Sequence, residues 1–392
     1  MSRPLRTVPA DPDQLHELLA ALRAAIDGTG PAVRASAPTT PIDADRPGAG
    51  RPTAPTGVPD DVALVVDTSG STGEPRSVLL SAAALRASAA ATDARLGGPA
   101  QWLLTLPPTH VAGLQVLVRS ILAGTDPVLA APGRFRPDAF AADAARLTGP
   151  RRYVSLVPTQ LHRLLDEAGA GLASLATFDA VLLGGAAAGP GLLARARQAG
   201  IRVVTTYGMS ETCGGCVYDG VPLDGMRVRL DADARVLIAG PALATGYLDR
   251  PDLDAETFRT DDGVRWLRTS DVGELVDGHL TVLGRLDDML VTGGAKVAPA
   301  AVERVLGELD GVGEVCVVGV PDAEWGQAVT AVVVLAGGAS APTLDSVRLH
   351  VTRSLGGPAA PRHLVVIDRL PTRGPGKTDR RAVAALAAAR LT

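Results

Sequence analysis

Between Val62 and Gly208, short apolar segments alternate with longer Ala-rich or amphipathic stretches, and this alternation restricts the possible folds more than any other feature. The apolar segments have the length and composition of buried strands and are VALVVDT, WLLTLP, PVLAA, RYVSLVP, FDAVLLGG and IRVVTTYG. Between them lie helix-length stretches such as SAAALRASAAATDARL, HVAGLQVLVRSILAG, PTQLHRLLDEA and PGLLARARQAG. A repeated strand–helix order of this kind favours a mainly parallel sheet with helices on both faces.

The pattern changes twice after Gly208. Short strands separated by turns follow first, which is typical of antiparallel hairpins; they are MRVRLD, ARVLIAG, VRWLRTSD, VGELVDG and HLTVLG. Beyond GRLDDMLVTGG, helices and strands alternate again over roughly a hundred residues, a reasonable size for a compact second domain. The N-terminal region combines a helix near DQLHELLAALRAAI with a Pro- and Ala-rich run from Gly28 to Gly57, where we expect a loop or a partly ordered cover.

The sequence therefore predicts an α/β protein: a large N-terminal domain of mainly parallel sheets plus a β subdomain, and a small α+β C-terminal domain joined by a hinge. The expected divisions are 1–60 for the N-terminal helix and Pro/Ala-rich segment, 61–285 for the large domain with its β subdomain at about 225–285, and 286–392 for the mobile small domain. With 46% apolar residues, a chain of 392 residues can bury sizeable cores.

The overall charge and the cysteine content narrow the functional class. A net charge of −4 argues against a general nucleic-acid or membrane-surface protein, because such proteins present a basic face. No apolar run reaches the ~20 residues of a membrane span and the N-terminus lacks the apolar core of a signal peptide, so we expect a cytoplasmic protein. Cys213 and Cys216 form a C-x-x-C motif without a second pair or a nearby histidine, which favours ordinary loop cysteines over a zinc or redox site.

The segment DTSGSTGEPRS, Asp67 to Ser77, follows the first apolar strand directly and has the composition of an anion-binding loop. Its glycines, Gly70 and Gly73, let the backbone approach a ligand and present N–H groups to it. Its hydroxyl donors and its cation are Thr68, Ser69, Ser71, Thr72 and Arg76. A surface turn rich in Ser and Gly has the same composition, so this segment alone does not decide between the two.

Four further polar segments fall where this architecture places a ligand site: TTYGMSET, TSDVGEL, GRLDDML and PTRGPGKTDRR. Common motifs do not fit the chain. Pro371 occupies the position where a Walker loop ending in GKT needs glycine, and Ala186 replaces a glycine of the dinucleotide fingerprint. A G-x-S-x-G elbow is absent from the sequence. These observations exclude an ordinary P-loop NTPase, a Rossmann dehydrogenase and an α/β-hydrolase.

In order and spacing, the five segments together resemble those of the adenylate-forming acyl-CoA and aryl-CoA ligase superfamily. TSGSTGEPRS is similar to its phosphate loop, TTYGMSET to its adenine and magnesium motif, TSDVGEL to its ribose motif, GRLDDMLVTGGAKV to its hinge, and PTRGPGKTDRR to its catalytic-lysine loop. The resemblance covers the chain from about Val62 to the end. It implies an enzyme that uses ATP, Mg²⁺ and CoA and has no prosthetic group. A carboxylate and ATP first give an acyl-adenylate and pyrophosphate, and a CoA thiol then displaces AMP.

The resemblance also assigns roles to particular residues. It implies that Glu211 is the magnesium ligand, that Asp271 and Arg285 bind the ribose, and that Lys377 is the catalytic cation between the carboxylate and the α-phosphate. The ATP phosphates are assigned to Thr68, Ser69, Gly70, Ser71, Thr72, Gly73 and Arg76, and the adenine and acyl pocket to Gly184, Gly185, Ala186, Tyr207, Gly208, Met209 and Ser210. The family usually has lysine in place of Arg76 and glycine in place of Ser77.

Three further roles concern the second half-reaction and the acyl group. Asp287 matches the hinge about which the small domain would rotate between the half-reactions. The resemblance implies that Gly293 and Gly294 line the CoA channel. His110 is expected near the acyl pocket as a second catalytic residue, although a histidine at a helix start that is satisfied by the backbone explains the position equally well.

The short region before the phosphate loop, together with PPTHVAGLQVLVRSILAG and GGCVYDGVPLDG, resembles the compact actinobacterial o-succinylbenzoate–CoA ligases of menaquinone biosynthesis. This resemblance implies a small aromatic carboxylate as substrate, whose second carboxylate could be met by Arg119, Gln160 or His162. Another small aryl- or acyl-CoA ligase and an adenylation domain that loads a carrier protein are the alternatives. A degenerate nucleotide-binding protein is disfavoured, because the implied metal, ribose and catalytic residues are all retained. The expected assembly is a homodimer that binds neither nucleic acid nor membrane.

Overall fold

The computed structural model describes residues 2–37, 57–69, 75–373 and 377–391. Its strands, numbered along the chain, are β1 Ser2–Arg3, β2 Leu5–Pro9, β3 Ala32–Ser36, β4 Val58–Pro59, β5 Val62–Ser69, β6 Pro75–Ser81, β7 Gln101–Leu104, β8 Val128–Leu129, β9 Arg152–Leu156, β10 Ala180–Leu183, β11 Val203–Met209, β12 Gly214–Tyr218, β13 Val221–Pro222, β14 Arg227–Leu230, β15 Arg235–Ala239, β16 Gly246–Tyr247, β17 Phe258–Asp261, β18 Val264–Val276, β19 His279–Arg285, β20 Leu290–Thr292, β21 Ala295–Val297, β22 Val312–Asp322, β23 Gly326–Leu335, β24 His363–Val366, β25 Thr372–Arg373 and β26 Lys377–Thr378. Its α-helices are α1 Leu15–Ile26, α2 Ala82–Leu96, α3 Val111–Ala123, α4 Pro137–Ala144, α5 Pro158–Glu167, α6 Ala170–Leu175, α7 Pro190–Gln198, α8 Pro251–Thr257, α9 Pro299–Leu306, α10 Leu344–Leu355 and α11 Arg380–Leu391.

The strands on either side of the proposed phosphate loop belong to a five-stranded sheet with the order β16-β6-β5-β3-β2. Strands β2, β3 and β5 are parallel, whereas β6 runs antiparallel to β5, and β16 antiparallel to β6. Strand β5 is an interior strand, as its apolar sequence predicts. The loop that follows it connects two antiparallel strands.

The N-terminal residues are part of this same sheet. Helix α1 buries Leu18 and Leu22, and β3 pairs with β5 in parallel. The expectation of a loop or cover over the Pro- and Ala-rich run is therefore wrong for β3, where Ala32 and Val33 are fully buried. Strand β3 has an ordinary strand sequence, AVRAS. Because the residues around it are rich in proline, the composition of the whole run indicates a loop. The rest of that run, residues 38–56, lies outside the described residues.

A second, seven-stranded sheet has the order β13-β12-β11-β10-β9-β7-β8. Its parallel strands are β8, β7, β9, β10 and β11. Strand β12 pairs antiparallel with β11, and β13 pairs antiparallel with β12 at the edge of the sheet. Successive strand residues point to opposite faces. Trp102 on β7 packs into a core with α1, α2 and α3, whereas its neighbour Leu103 packs into a core with α4 to α7. Helices therefore cover both faces, and the predicted α/β fold is confirmed.

The later parts of the chain form smaller units. Strands β14, β15, β18, β17 and β19 make an antiparallel sheet, in which β18 is one long strand where the sequence suggests two. The C-terminal region has the sheet β21-β20-β23-β22 with β24 beside β23. Helices α9 and α10 pack on one side of it and α11 on the other. Among the residues that the structure describes, no helix is both long and apolar enough to cross a membrane.

Candidate active site

The expected adenine and acyl segments meet at one edge of the seven-stranded sheet. Because β7, β9, β10 and β11 are parallel, the residues that follow them share the carboxyl-terminal edge, where open α/β sheets bind ligands. Gly184 follows β10 and touches β11 so closely that a Cβ on it would lie 2.3 Å from Thr206 Oγ1. Ala186 and Gly185 follow it on the surface. The structure thus brings the two predicted pocket segments side by side.

Tyr207 and Asp271, which the sequence assigns to adenine and ribose, are in direct contact. The Tyr207 hydroxyl donates a hydrogen bond of 2.6 Å to Asp271 Oδ2, and the backbone N–H of Asp271 donates to Thr269 Oγ1 at 3.0 Å. Burial raises the pKa of Asp271, while the Tyr207 hydrogen bond and the nearby Arg285 oppose the shift. Burial and the neighbouring Asp271 charge also raise the pKa of Tyr207, which therefore stays a neutral donor. The result is a half-buried carboxylate that can accept hydrogen bonds from vicinal hydroxyls.

Arg285 faces the same site from the next strand. It is the cross-strand partner of Asp271 in the pairing of β18 with β19. Its guanidinium donates to Asp287 Oδ2 at 3.1 Å, and both side chains of this pair are substantially exposed. Asp287 lies in a 3-10 turn, Leu286–Asp288, which joins the β subdomain to the C-terminal region. The predicted ribose and hinge residues are therefore consecutive parts of one surface segment.

Glu211 has a partner that the sequence did not reveal. It lies in a 3-10 turn, Ser210–Thr212, directly after β11, and its Oε1 accepts a hydrogen bond of 2.7 Å from the Tyr247 hydroxyl. Burial is the main reason why the pKa of Tyr247 is raised, with the Glu211 charge acting in the same direction and Arg76 in the opposite one. Arg76 is thus close enough to act on this phenol. The pKa of Tyr247 therefore responds to both the proposed metal ligand and the proposed phosphate arginine.

The donor set around Glu211 fits Mg²⁺. The cation prefers hard oxygen ligands and is commonly held by one or two carboxylates together with substrate phosphates. Across the described ranges, no group of three or more His, Cys, Asp or Glu side chains forms a closed metal cage. A single carboxylate beside a phosphate loop is therefore consistent with a metal that arrives with its nucleotide.

The base of the phosphate loop is held by a second small network. Asp67 and Ser77 are cross-strand partners on β5 and β6, and Ser77 Oγ donates to Asp67 Oδ1 at 2.6 Å. Arg34 on β3 donates to Ser77 Oγ at 3.3 Å and forms an ion pair of 3.6 Å with Asp67. Thr68 Oγ1 donates to the carbonyl oxygen of Arg76 at 3.3 Å. Ser77, which replaces the usual glycine, therefore has a defined structural contact. Gly70, Ser71, Thr72 and Gly73 lie outside the described residues, and Ser69 ends β5.

Two of the predicted glycines are explained by packing. A Cβ on Gly208 would lie 2.0 Å from the carbonyl oxygen of Gly214, at the irregular pairing of β11 with β12. Gly293 has a positive φ of 54°, and a Cβ there would lie 2.6 Å from the Trp325 ring. Its neighbour Gly294 is exposed and has open space around its Cα. Of this pair, only Gly294 has its Cα facing a volume that an extended ligand could occupy.

The catalytic-lysine segment is anchored on the small domain. Lys377 pairs with Arg373 in the β25–β26 hairpin, and the intervening residues 374–376 lie outside the described ranges. Three residues after Lys377, the guanidinium of Arg380 binds Glu303 on α9 through two hydrogen bonds of 2.6 and 2.8 Å. It also lies 3.8 Å from Asp288 in the turn Leu286–Asp288. Arg380 therefore ties the end of the Lys377 segment to both α9 and this turn.

The candidate acyl contacts have different surroundings. His110 is exposed at the N-terminus of α3. Arg119 is 3% exposed, donates to the Tyr218 hydroxyl and lies over the Trp102 ring. Both amide atoms of Gln160 are used by backbone groups. Arg119 and Gln160 therefore make contacts within the protein, and their suggested role toward a substrate carboxylate stays a prediction. His162 is half-buried, and burial lowers its pKa.

The two motif cysteines are fully buried. Burial raises the pKa of Cys216 to about 12, and that of Cys213 is also raised by burial and by Cys216. A thiol that stays protonated is a poor metal ligand and a poor nucleophile. The ordinary structural interpretation of the C-x-x-C motif fits these surroundings. Met209 and Ser210 lie beside them, with Ser210 buried at the start of the turn.

The fold and the arrangement of these residues define an adenylate-forming enzyme, and family comparison agrees. Residues 8–248 match the AMP-binding enzyme family, and residues 301–377 match the AMP-binding enzyme C-terminal domain. The chain belongs to the AMP-binding enzyme family. The two matched regions correspond to the large N-terminal domain and the smaller C-terminal domain of adenylate-forming enzymes.

Individual proteins to which the chain is similar are more specific than the family match. The chain is 49% identical over 332 residues to a probable 2-succinylbenzoate–CoA ligase of Mycobacterium tuberculosis, covering 83% of this chain and 85% of the relative. The o-succinylbenzoate CoA synthetase of Bacillus subtilis in complex with the acyl-adenylate intermediate OSB-AMP matches with a TM-score of 0.67 and 28% identity, covering 82% and 69% of the two chains. The amide bond synthetase McbA of Marinactinospora thermotolerans matches with a TM-score of 0.74 and 27% identity, covering 98% and 80%.

Proposed function

We propose that this chain ligates 2-succinylbenzoate, also called o-succinylbenzoate, to CoA in menaquinone biosynthesis. The observation that carries the proposal is the 49% identity, over most of both chains, to a probable ligase for this acid. The similarity to a synthetase solved with the corresponding acyl-adenylate supports it. The order of the site segments around the sheet edge is what such a reaction needs.

In the first half-reaction, the residues of the large domain hold ATP. Asp271, oriented by Tyr207, accepts hydrogen bonds from the ribose hydroxyls, with Arg285 beside it. Glu211 holds Mg²⁺, whose charge lowers the repulsion between the triphosphate and the incoming carboxylate. The loop from Thr68 to Arg76 holds the β- and γ-phosphates. The acid then attacks the α-phosphorus, and pyrophosphate leaves.

Lys377 is the cation that we assign to this step. A carboxylate that approaches a phosphate brings two negative charges together, and a lysine ammonium between them stabilises the transition state more than the separated reactants. Its position in a short hairpin at the start of α11, anchored through Arg380, keeps the loop attached to the small domain. The lysine therefore moves wherever the small domain moves.

In the second half-reaction, we propose that the small domain, residues 286–392, rotates about Asp287 relative to residues 61–285. The CoA thiol then attacks the acyl carbon and AMP leaves. The turn of the hairpin β20–β21, where Gly294 is exposed, offers an unobstructed backbone for the pantetheine arm. His110, at the carboxyl-terminal edge of the sheet, and the half-buried His162 are the proposed neighbours of the acyl group.

The test is formation of the CoA thioester from ATP, Mg²⁺, CoA and 2-succinylbenzoate, with benzoate and octanoate in parallel. Turnover that strongly prefers 2-succinylbenzoate supports the proposal. Preferred turnover of another acid contradicts the substrate and leaves the ligase chemistry intact. ATP–pyrophosphate exchange, measured without CoA, reports the first half-reaction separately.

A second function differs only in the acceptor. The solved amide bond synthetase covers 98% of this chain, so an amine acceptor is a specific alternative to the CoA thiol. Adding a primary amine or a phosphopantetheinylated carrier protein in place of CoA tests both alternatives. Product formed with these acceptors, and none with CoA, would contradict the thioester proposal.

Two further proposals concern the context of the enzyme. We place it in the cytoplasm, where ATP and CoA are available, and expect a homodimer. Light scattering of the purified protein tests the assembly, and a monomer mass would contradict it. Fractionation of the producing cells tests the location.

A further inference from the structure

The segment Ala244–Tyr247 connects the Glu211 turn to the strand that follows the phosphate loop. The backbone N–H of Ala244 donates to the Glu211 carbonyl oxygen at 2.8 Å, and that of Thr245 donates to the Leu79 carbonyl oxygen at 2.8 Å. Tyr247 then pairs with Val78 in the β16–β6 ladder. The segment therefore fixes the distance between the Glu211 turn and β6, on which Arg76 lies.

Tyr247 is itself held rigidly. It is 4% exposed, and its backbone N–H donates to Asp254 Oδ1 at 2.8 Å. The preceding residue must be small, because a Cβ on Gly246 would lie 2.7 Å from both Asp254 carboxylate oxygens. Arg265 donates to the Ala244 and Thr245 carbonyl oxygens at 2.7 and 2.8 Å. Little conformational entropy remains to be lost when the Tyr247 hydroxyl forms a hydrogen bond.

The bond from Tyr247 to Glu211 has the form of a contact that orients a metal ligand. A glutamate side chain has several rotatable bonds, and carboxylate ligands are commonly fixed by a hydrogen bond from a second residue. The phenol donates to one oxygen only, Oε1, at 2.7 Å. As a neutral donor it leaves the carboxylate charge in place.

We propose that Tyr247 is a positioning residue that orients Glu211 for the Mg²⁺ ion of Mg·ATP and so sets how much Mg²⁺ strengthens ATP binding. This inference rests on the proposed role of Glu211 as the metal ligand. Tyr247 itself touches neither the metal nor the reacting atoms, so its loss should change the metal-dependent part of nucleotide binding and little else.

The test is calorimetric measurement of the ATP dissociation constant with and without Mg²⁺, in the absence of acid and CoA so that no reaction occurs. In Tyr247→Phe, the strengthening of ATP binding by Mg²⁺ should fall ~10-fold, within the range for losing a partner of a metal ligand. The dissociation constant without Mg²⁺ and the KM for CoA should stay within twofold of wild type. The matched control is Tyr218→Phe, which removes a buried hydroxyl bonded to Thr92 rather than to a site carboxylate.

Three results distinguish the proposed role of Tyr247 from the proposed role of Glu211 as the metal ligand. If Tyr247→Phe keeps the full effect of Mg²⁺ while Glu211→Gln loses it, the role of Tyr247 is wrong and that of Glu211 stands. If Glu211→Gln also keeps it, the metal assignment itself fails. If Tyr247→Phe weakens ATP binding equally with and without Mg²⁺, the residue supports the fold of the site in general, and the metal-specific role is overturned.

Discussion

Two tyrosine–carboxylate pairs lie at the two ends of the proposed nucleotide site. Tyr207 donates to Asp271 at 2.6 Å and Tyr247 donates to Glu211 at 2.7 Å, so the two bonds are nearly alike. Their settings differ. Asp271 lies on a strand of the β subdomain beside Arg285, whereas Glu211 lies in a turn that a backbone segment ties to β6. The same contact can therefore present a carboxylate to sugar hydroxyls at one end and to a metal ion at the other.

In the proposed mechanism both tyrosine–carboxylate pairs bind ATP, whereas Lys377 on the small domain stabilises the transition state. Lys377→Ala should accordingly lower the rate of acyl-adenylate formation by ~10²–10³-fold, because a cation aimed at the developing charge is lost. The ATP dissociation constant should change less than threefold. ATP–pyrophosphate exchange and calorimetry measure the two quantities. A wild-type exchange rate in this variant would remove Lys377 from the mechanism.

Asp271→Asn should give the next largest effect, on binding. A hydrogen bond to a charged group contributes about 1.5–3 kcal/mol, so the ATP dissociation constant should rise ~10-fold to ~100-fold, with or without Mg²⁺. Calorimetry checks this directly. Asp287→Asn is the matched control, because in the described part of the chain its carboxylate is exposed and forms its ion pair with Arg285. An equal effect of both variants would contradict the ribose assignment.

Tyr207→Phe tests whether the two tyrosine–carboxylate pairs differ in their dependence on Mg²⁺. Losing one hydrogen bond to Asp271 should raise the ATP dissociation constant ~5-fold, equally with and without Mg²⁺, because about 1 kcal/mol is lost. The contrast is with Tyr247→Phe, whose effect should require the metal. If the two phenylalanine variants respond to Mg²⁺ in the same way, the two pairs do not have separate roles.

The buried carboxylate also predicts how stability depends on pH. Burial raises the pKa of Asp271 above its ordinary value of 3.8, so between these two values the folded chain holds more protons than the unfolded chain. The free energy of unfolding contributed by this group therefore falls as pH rises through that window. Asp271→Asn does not titrate, so its Tm relative to wild type should increase with pH there and then level off. Thermal unfolding from pH 4 to 8 measures this, and a constant difference would contradict it.

Ser77→Ala should have the smallest effect. Ser77 donates to a third carboxylate, Asp67, at 2.6 Å, but this carboxylate is about half exposed, with a side-chain exposure of 49%. Exposed polar contacts of this kind contribute little, so the KM for ATP should rise only ~2-fold to ~3-fold. Steady-state kinetics at saturating acid and CoA check this. A tenfold rise would mean that the base of the loop matters as much as either tyrosine pair.

Much of the architecture could be predicted from the sequence, and the exceptions have physical reasons. Apolar periodicity is local, so it located β7, β9, β10 and β11 and the helices α3, α5 and α7. The strand β3 was missed because AVRAS is short and lies between proline-rich flanks. The single long strand β18 was divided in two because polar residues interrupt its apolar pattern near Asp271.

The residues of the candidate site were also only partly predictable from the sequence. Its motif residues were identified because their polar types and order are visible in the sequence. Tyr247 was not, because it lies in the apolar segment ALATGYL, 36 residues from Glu211. One signal was available. The chain has only 4 tyrosines, and both Tyr207 and Tyr247 adjoin a glycine near a strand end, which would have justified asking what each hydroxyl binds.

The sequence by itself determined the elements, the type of enzyme and the candidate ligands, because these depend on side-chain pattern and motif order. The tertiary structure decided that Asp271 and Glu211 are each oriented by a tyrosine hydroxyl. Tyr207 and Asp271 are 64 residues apart, and sheet pairing brings each of them to the site on a separate strand. It also showed that Arg119 and Gln160 are buried and hydrogen-bonded within the protein, because burial and hydrogen bonding depend on packing between distant segments and not on residue type.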